Sequence, residues 1–537
     1  MRARRLAVLF LTLLLAGLAL AQPTIEGPIM NVASYLLPGY PAFGVAQGSM
    51  FVVFGRNMGP RGMYQAETWP LPKDLVGTSL QVTVGGVTVD AIMVYTSATQ
   101  LAAILPSNTP TGDGTISVTY AGQVGLPAPI RVVPAAFGIF TLNSQGNGPA
   151  VIQIVRGAAR PVNTLLEAAH PMELVSLWGS GLGAVTGNEA AGPLPGDMST
   201  PIEVWVGGQP ATVYYRGRSG CCAGVDEIYF YVPLGVTGCY VPVVVRSGQG
   251  VSNSTTMSIS QSGNFCEDPS GFTADNYKLM SEGGKLTAGW IELNRRGIFT
   301  SPTVDPAQTS ETVLANFSRF QTDRAIRYNA PARFTGFGSC VVDMLRASAP
   351  SLVLYQPDSL EAGEALNVKN PNGITKQVSI VSEGSYFSYV GGETGSVPLP
   401  QFLVNGTYRV DNGSGGTALG AFSVRQDLRS PVMWTNIPST RIDITRSDGY
   451  RVTWTGGDAN RDFVTITGTS VDTANDVKAK FFCAERADAG QFTIPPYVLL
   501  GLPANNSTTG TYLAVGSQPL PSQSKVTITG LDQAYFY

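Results

Sequence analysis

The chain reads as an all-β protein built of tandem β-sandwich domains, and three observations predict this. Charged residues make up 13% of the 537 positions, against 62 Gly and 37 Pro. That charged share is about half the usual one. The mix suits short strands joined by tight turns and not long solvated helices. Apolar residues also alternate: in "LQVTVGG" Leu80, Val82 and Val84 face one way and Gln81 and Thr83 the other, the period of a half-buried strand. The third observation is a long internal repeat.

The repeat pairs four blocks in the same order. "MFVVFGRNMGP" (50–60) matches "ELVSLWGSGLGA" (173–184), aligning Phe54-Gly55 with Trp178-Gly179. "LQVTVGGVTVDAIMVY" (80–95) matches "IEVWVGGQPATVYY" (202–215), and "QLAAILP" (100–106) matches "EIYFYVP" (227–233). "GTISVTYAGQVG" (114–125) matches "GCYVPVVVRSGQG" (238–250). Each copy spans about 110 residues, too long a period for a solenoid. About seven short strands at this spacing predict a sandwich of immunoglobulin type.

The N-terminal "MRARRLAVLFLTLLLAGLALA" (1–21) has the form of a secretory signal. Arg2, Arg4 and Arg5 form a basic start, an apolar run follows, and Ala19-Leu20-Ala21 precedes Gln22 as a cleavage site. No later stretch is long and apolar enough to span a membrane. Losing the three arginines takes the net charge from −3 to −6. With no basic patch, nucleic acid is not an expected partner. The expected location is secreted, extracellular or at the cell surface, with the periplasm as the alternative, and paired cysteines are expected there.

The remaining boundaries follow texture. Residues 22–140 and 141–261 are the two repeated sandwiches. Residues 262–432 form a β-rich domain in which "ETVLANFSRF" (311–320) is the best short-helix candidate. Residues 433–537 form a last sandwich around "YRVTWTGG" and "VTITG".

"NVASYLLPGYPAFGVAQGSMFVVFGRNMGP", "LQVTVGGVTVDAIMVYTSATQLAAILP" and "VVPAAFGIF" resemble the repeated domains of large secreted bacterial proteins, which are similar to the IPT/TIG immunoglobulin-like fold. "GRSGCCAGVDEIYFYVP" with "GVTGCYVP" resembles a cysteine-bearing variant of that domain. The resemblance covers about residues 28–260, with later pieces such as "VTWTGGDANRDFVTITGTS" and "QFTIPPYVLLGLP" resembling C-terminal segments of the same group. It implies a fold and an address; the group has no established activity.

Six cysteines, Cys221, Cys222, Cys239, Cys266, Cys340 and Cys483, are disulfide candidates. Cys221 and Cys222 lie in an insertion that the first repeat lacks. A bridge from one of them to Cys239 would close a loop of about 18 residues, contributing about 3 kcal/mol. Cys266 with Cys340 would close a longer one, leaving Cys483 for the other member of the adjacent pair. Six cysteines allow about 15 full pairings, so connectivity stays open. A zinc site lacks ligands at regular spacing, and a reactive thiol needs a free cysteine.

The single histidine, His170 in "LEAAHPMEL", would have to serve any Ser-His-Asp triad. "GSGLG" (179–183) lacks the spacing of a phosphate loop. Asp458, Asn460 and Asp462 alternate like the start of a calcium loop, but the glycine and distant glutamate are missing, so a turn is the plainer reading. No metal and no cofactor are expected. Trp205, Tyr229 and Tyr231 lie opposite the aliphatic positions of their strands and form a candidate contact face. It would serve a neighbouring domain, a sugar or a partner protein.

These features predict a structural or adhesive cell-surface protein without catalytic activity, contacting polysaccharide or protein. An extracellular carbohydrate-binding accessory protein is the alternative. A polysaccharide hydrolase is third, because paired carboxylates need no motif.

Overall fold

The computed structural model describes residues 22–247, 250–266, 268, 271–297, 309–321, 336–348, 357–392, 399–438, 443–504 and 511–537. The signal-like residues 1–21 lie outside them. The chain is all-β, in several sheets packed as sandwiches. Among the described residues no helix is long and apolar enough to cross a membrane.

In the first sandwich one sheet centres on Met50–Arg56, Gln100–Ile104 and Ile92–Thr96, the other on Thr78–Val84, Gly112–Tyr120 and Ala128–Val133. Leu80, Val82 and Val84 meet Phe51, Val53, Leu101 and Ala103 between the sheets, as their period-two spacing requires. The second sandwich repeats the plan with Leu174–Ser180, Asp226–Tyr231, Glu203–Val206 and Gly238–Ser247. Its strand Gln209–Arg218 serves both sheets. Residues 209–211 pair with Val204–Val206 and residues 212–218 with Asp226–Tyr231, across a bulge between Val213 and Tyr215.

The repeated glycine has a local cause. A β-carbon on Gly55 would sit 2.0 Å from the Thr24 carbonyl oxygen, and one on Gly179 2.3 Å from that of Gly138. Each is where the preceding edge strand crosses. Gly55→Ala and Gly179→Ala are each expected to destabilise their own sandwich by about 1–3 kcal/mol, the usual cost of overpacking. Denaturant titration checks this, and an unchanged midpoint would show that the edge strand can move aside.

The segment Glu311–Phe320 is not a helix. It lies within the strand Thr309–Gln321, which pairs along its whole length with Lys285–Gly297 and, on its other edge, with Ser385–Gly392. Val313, Ala315 and Phe317 are buried at alternate positions, and two flanking strands override a weak local helix preference. The helix of this region is Ala274–Ser281, where Thr273 and Asn276 form a capping box and Tyr277 and Met280 are buried.

The third and fourth units are not consecutive as the boundaries 262–432 and 433–537 imply. Ser339–Arg346 pairs with Val477–Arg486 in the four-stranded sheet of the last unit. Gln533–Phe536 returns to pair in parallel with Ala288–Ile291 of the third unit, where Ala534 and Phe536 enter its core. Alternation marks a strand but carries no information about its partner.

Buried contacts join the units. Leu36 and Tyr40 of the first pack into the core of the last. There the Tyr40 hydroxyl accepts from the Leu345 N–H at 2.7 Å and lies 2.9 Å from the carbonyl oxygens of Leu345 and Lys478. Asn31 donates to Ser180 at 2.9 Å, binding the first sandwich to the second, and to Ala136 near the end of its own unit at 3.1 Å.

Candidate functional site

The two cysteines side by side bond to each other. The strand Gln209–Arg218 ends in the loop Ser219–Val225, where Cys221–Cys222 forms a disulfide with Cα atoms 3.8 Å apart. Cys239 pairs with Cys266 and Cys340 with Cys483. Of the pairings the sequence leaves open, the structure takes neither the bridge from the adjacent pair to Cys239 nor the one from Cys266 to Cys340. Asp226–Tyr231 runs away from the loop, and Cys239 begins the strand beyond its far end, beside Tyr240 and Cys266. Cys340 and Cys483 are register partners on adjacent strands. Cys221 and Cys222 are exposed while the other four are buried.

The loop is an inter-domain contact. Ala223 packs with Ile92 and Ile104 of the first sandwich, against Leu71, Val94 and Ala190. The Gly224 carbonyl accepts from the Ser180 hydroxyl at 2.6 Å, and that hydroxyl accepts from the Met50 N–H at 3.0 Å. Inside the loop, Ser219 N–H donates to Val225 at 2.9 Å and Cys221 N–H to the Ser219 hydroxyl at 3.1 Å.

A buried ionic cluster lies directly beneath. The Arg218 guanidinium pairs with the Asp226 carboxylate and donates to the carbonyls of Gly48 at 2.6 Å and Gly183 at 2.9 Å. Asp226 also accepts from the N–H groups of Gly181 and Leu182, at 2.7 and 2.8 Å. Burial pushes the Asp226 carboxyl up, and the guanidinium and the two N–H groups pull it back. Glu189 accepts from the N–H and hydroxyl of Ser107 at 2.8 and 2.9 Å. The "GSGLG" amides are therefore filled by the chain's own carboxylate.

The aromatic face is divided. Val204, Val206, Ile228, Phe230 and Val232 share one core, so the strands carrying them belong to opposed sheets and their outer residues point away from each other. Trp205 turns to the last unit, its ring 5.1 Å from that of Tyr497. Tyr229 and Tyr231 lie on the opposite side, beside Tyr215 at 5.7 Å and Tyr214 at 6.4 Å. The prediction of one face joining Trp205, Tyr229 and Tyr231 is corrected, because alternation separates inside from outside but not one sheet from the other.

Residues the sequence reading missed complete the tyrosine side. Across from Glu227 and Tyr229 stand Trp178 and Ser176, and the Trp178 indole donates to Gln153 at 3.2 Å. The carboxylate of the buried Glu227 accepts from the Ser219 hydroxyl at 3.1 Å. Burial and then the hydrogen bond to Glu227 push the Tyr229 phenol up. Tyr214, at the bulge, is 70% exposed. The same alternation that placed Tyr229 outside also puts Trp178 there, between the inward Leu177 and Gly179.

The other candidates are structural. His170 Nε2 lies 2.9 Å from the Gly263 carbonyl oxygen, and Nδ1 is 3.9 Å from Glu173. Glu173 is held by Arg156 at 2.6 Å. Asp458 accepts from the Asn460 N–H at 3.0 Å, while Asp462 accepts from the Asp458 N–H at 3.2 Å and pairs with Arg429 at 3.1 Å. This is a turn in which the Arg429 guanidinium answers the buried Asp462 carboxylate. Among the described residues no three His, Cys, Asp or Glu side chains gather as a metal site.

No family model and no curated protein matches the chain. Among solved structures it is similar to a tetra-tandem repeat from the extending region of a large adhesion protein. That match has 12% identity and a TM-score of 0.13, covering 96% of this chain and 97% of that one. It is similar also to SGBP-B of the Bacteroides ovatus mixed-linkage glucan utilization locus, solved with a mixed-linkage heptasaccharide. Here identity is 11% and TM-score 0.20, covering 64% of this chain and 65% of that one. A third is the S-layer protein SbsC, domains 5–6, at 14% identity and TM-score 0.15, covering 44% and 98%. At these identities and TM-scores the likeness carries no argument about this chain.

Proposed function

We propose that the chain is an exported, non-catalytic adhesive scaffold. It meets an extracellular polysaccharide or surface protein through the tyrosine face of its second sandwich. One comparison between the repeats carries this. Ala102 and Ile104 of the first sandwich align with Tyr229 and Tyr231 of the second. In the first copy these positions are small or aliphatic and fully buried, with Ile104 packed under the loop of the following domain. In the second copy the same face carries tyrosines and Trp178, interleaved with Gln153 and Glu227, and stays partly open. A position that serves domain contact in one copy and bears open aromatics in the other supports an external partner. Three disulfides support an oxidising compartment.

The alternation of rings with an amide and a carboxylate favours sugar over a purely apolar partner, which is the accessory-protein reading. A glycan and cell-wall polymer array with the wild type and a Tyr229→Ser, Tyr231→Ser variant tests both. The variant is expected to stay folded and to lose about tenfold or more in retention, the combined worth of two aromatic contacts. Equal retention by both proteins would remove this face from the function. An unfolded variant would show the rings to be core. Turnover of a polymer would overturn the non-catalytic reading.

A further inference from the structure

We propose that Cys221–Cys222 is a thiol-exchange site, and that its oxidation state sets how firmly the first sandwich docks on the second. Accessibility is the first argument. Both sulfurs belong to exposed residues, while Cys239, Cys266, Cys340 and Cys483 are 3%, 0%, 1% and 0% exposed. Exchange requires a thiolate to reach a disulfide sulfur, so a dithiol reductant meets this bridge first. Position is the second. The bridge spans adjacent residues and constrains only the loop Ser219–Val225. That loop places Ala223 on Ile92 and Ile104 and holds the Gly224 carbonyl on Ser180. Loop and dock are thus one device. The Ser219 hydroxyl contacts both the Cys221 sulfur, at 3.2 Å, and Glu227, at 3.1 Å.

The exchange balances simply. One thiolate of the dithiol attacks the sulfur of either cysteine and breaks the Cys221–Cys222 bond, giving a mixed disulfide and a cysteine thiolate that takes up a proton. The second thiol of the reductant then attacks the mixed disulfide, closes the oxidised reductant and releases the second cysteine as a thiol. Two electrons and two protons pass to the protein. The loop, freed of its covalent turn, holds Ala223 less firmly against the first sandwich.

The full exported chain is treated with limiting dithiothreitol in native buffer, alkylated, and mapped by mass spectrometry, with amide exchange followed in parallel. The expected result is alkylation at Cys221 and Cys222 before the other four. Exchange should become at least tenfold faster in 219–226 and 100–104, and stay unchanged in the inner strand 80–84. A Cys221→Ala, Cys222→Ala variant should show the faster exchange without reductant and no further response to it. Labelling of all six cysteines at one rate, or selective labelling with unchanged exchange in 100–104, would overturn the proposal. The wild-type measurement decides by itself if the variant does not fold.

Discussion

Removal of the Cys340–Cys483 bridge, as Cys340→Ala with Cys483→Ala, is expected to cost about 5 kcal/mol on the chain-entropy model. The bridge closes a sequence separation of 143, and unfolded-state restriction grows with loop length. The same model gives about 3.5 kcal/mol for Cys239–Cys266, whose separation is 27. It gives almost nothing for Cys221–Cys222, which closes no loop. The loss should appear locally. Ser339–Arg346 is held to the last sheet by its register with Val477–Arg486 and is separated from that strand in sequence by the later strands of the third unit, from Asp358 to Leu428. Without the bridge it should be the first segment to gain amide exchange, while the first two sandwiches keep theirs. Non-reducing denaturant titrations of the three double variants check the ranking. Equal costs for the vicinal pair and Cys340–Cys483 would show that these bridges act through native packing and not through the unfolded chain.

Fold class and the first two sandwiches were legible because repetition and alternation report on the same thing, which side of a strand is buried. Leu80, Val82 and Val84, and likewise Ile228, Phe230 and Val232, are core as their spacing implied. What alternation cannot supply is a partner. Trp205 and Tyr231 looked alike because each opposes aliphatic neighbours, yet they leave the sandwich on opposite sides. Gln533–Phe536 pairs with a strand some 245 residues earlier, and nothing local in "QAYF" names that strand. Cysteine spacing failed for a related reason. The distance from Cys222 to Cys239 along the chain is short, but a strand and a turn carry the chain to the other end of the sandwich in between. The tyrosine face was half legible: Tyr229 and Tyr231 stood out as rings and alternation sets Glu227 beside them, whereas Trp178 joins them only through strand register.

Asp226→Asn is expected to cost about 3–5 kcal/mol, because it removes the nearer counter-charge of a buried guanidinium and leaves only the Glu189 carboxylate, 4.0 Å away. Arg218 and Asp226 are 2% and 0% exposed. An exposed pair would be worth at most about 1 kcal/mol. The asparagine keeps the shape and one oxygen for the N–H groups of Gly181 and Leu182, but its amide N–H then faces Arg218, so the change removes both the charge and the acceptor of the guanidinium. Adding Arg218→Met should recover part of the loss, since the double variant no longer buries the guanidinium, and the Glu189 carboxylate keeps its two bonds from Ser107. Recovery should be incomplete, because the carbonyls of Gly48 and Gly183 lose their donor and unsatisfied buried groups cost about 1–3 kcal/mol. Gly48 belongs to the first sandwich and Gly183 to the second, so the damage should fall on their junction. Proteolysis between residues 133 and 140 should quicken in Asp226→Asn before either sandwich unfolds. If the double variant were less stable than Asp226→Asn alone, the guanidinium would be contributing chiefly through its two carbonyl bonds. The carboxylate would then be a cap for Gly181 and Leu182 and not the anchor of the charge.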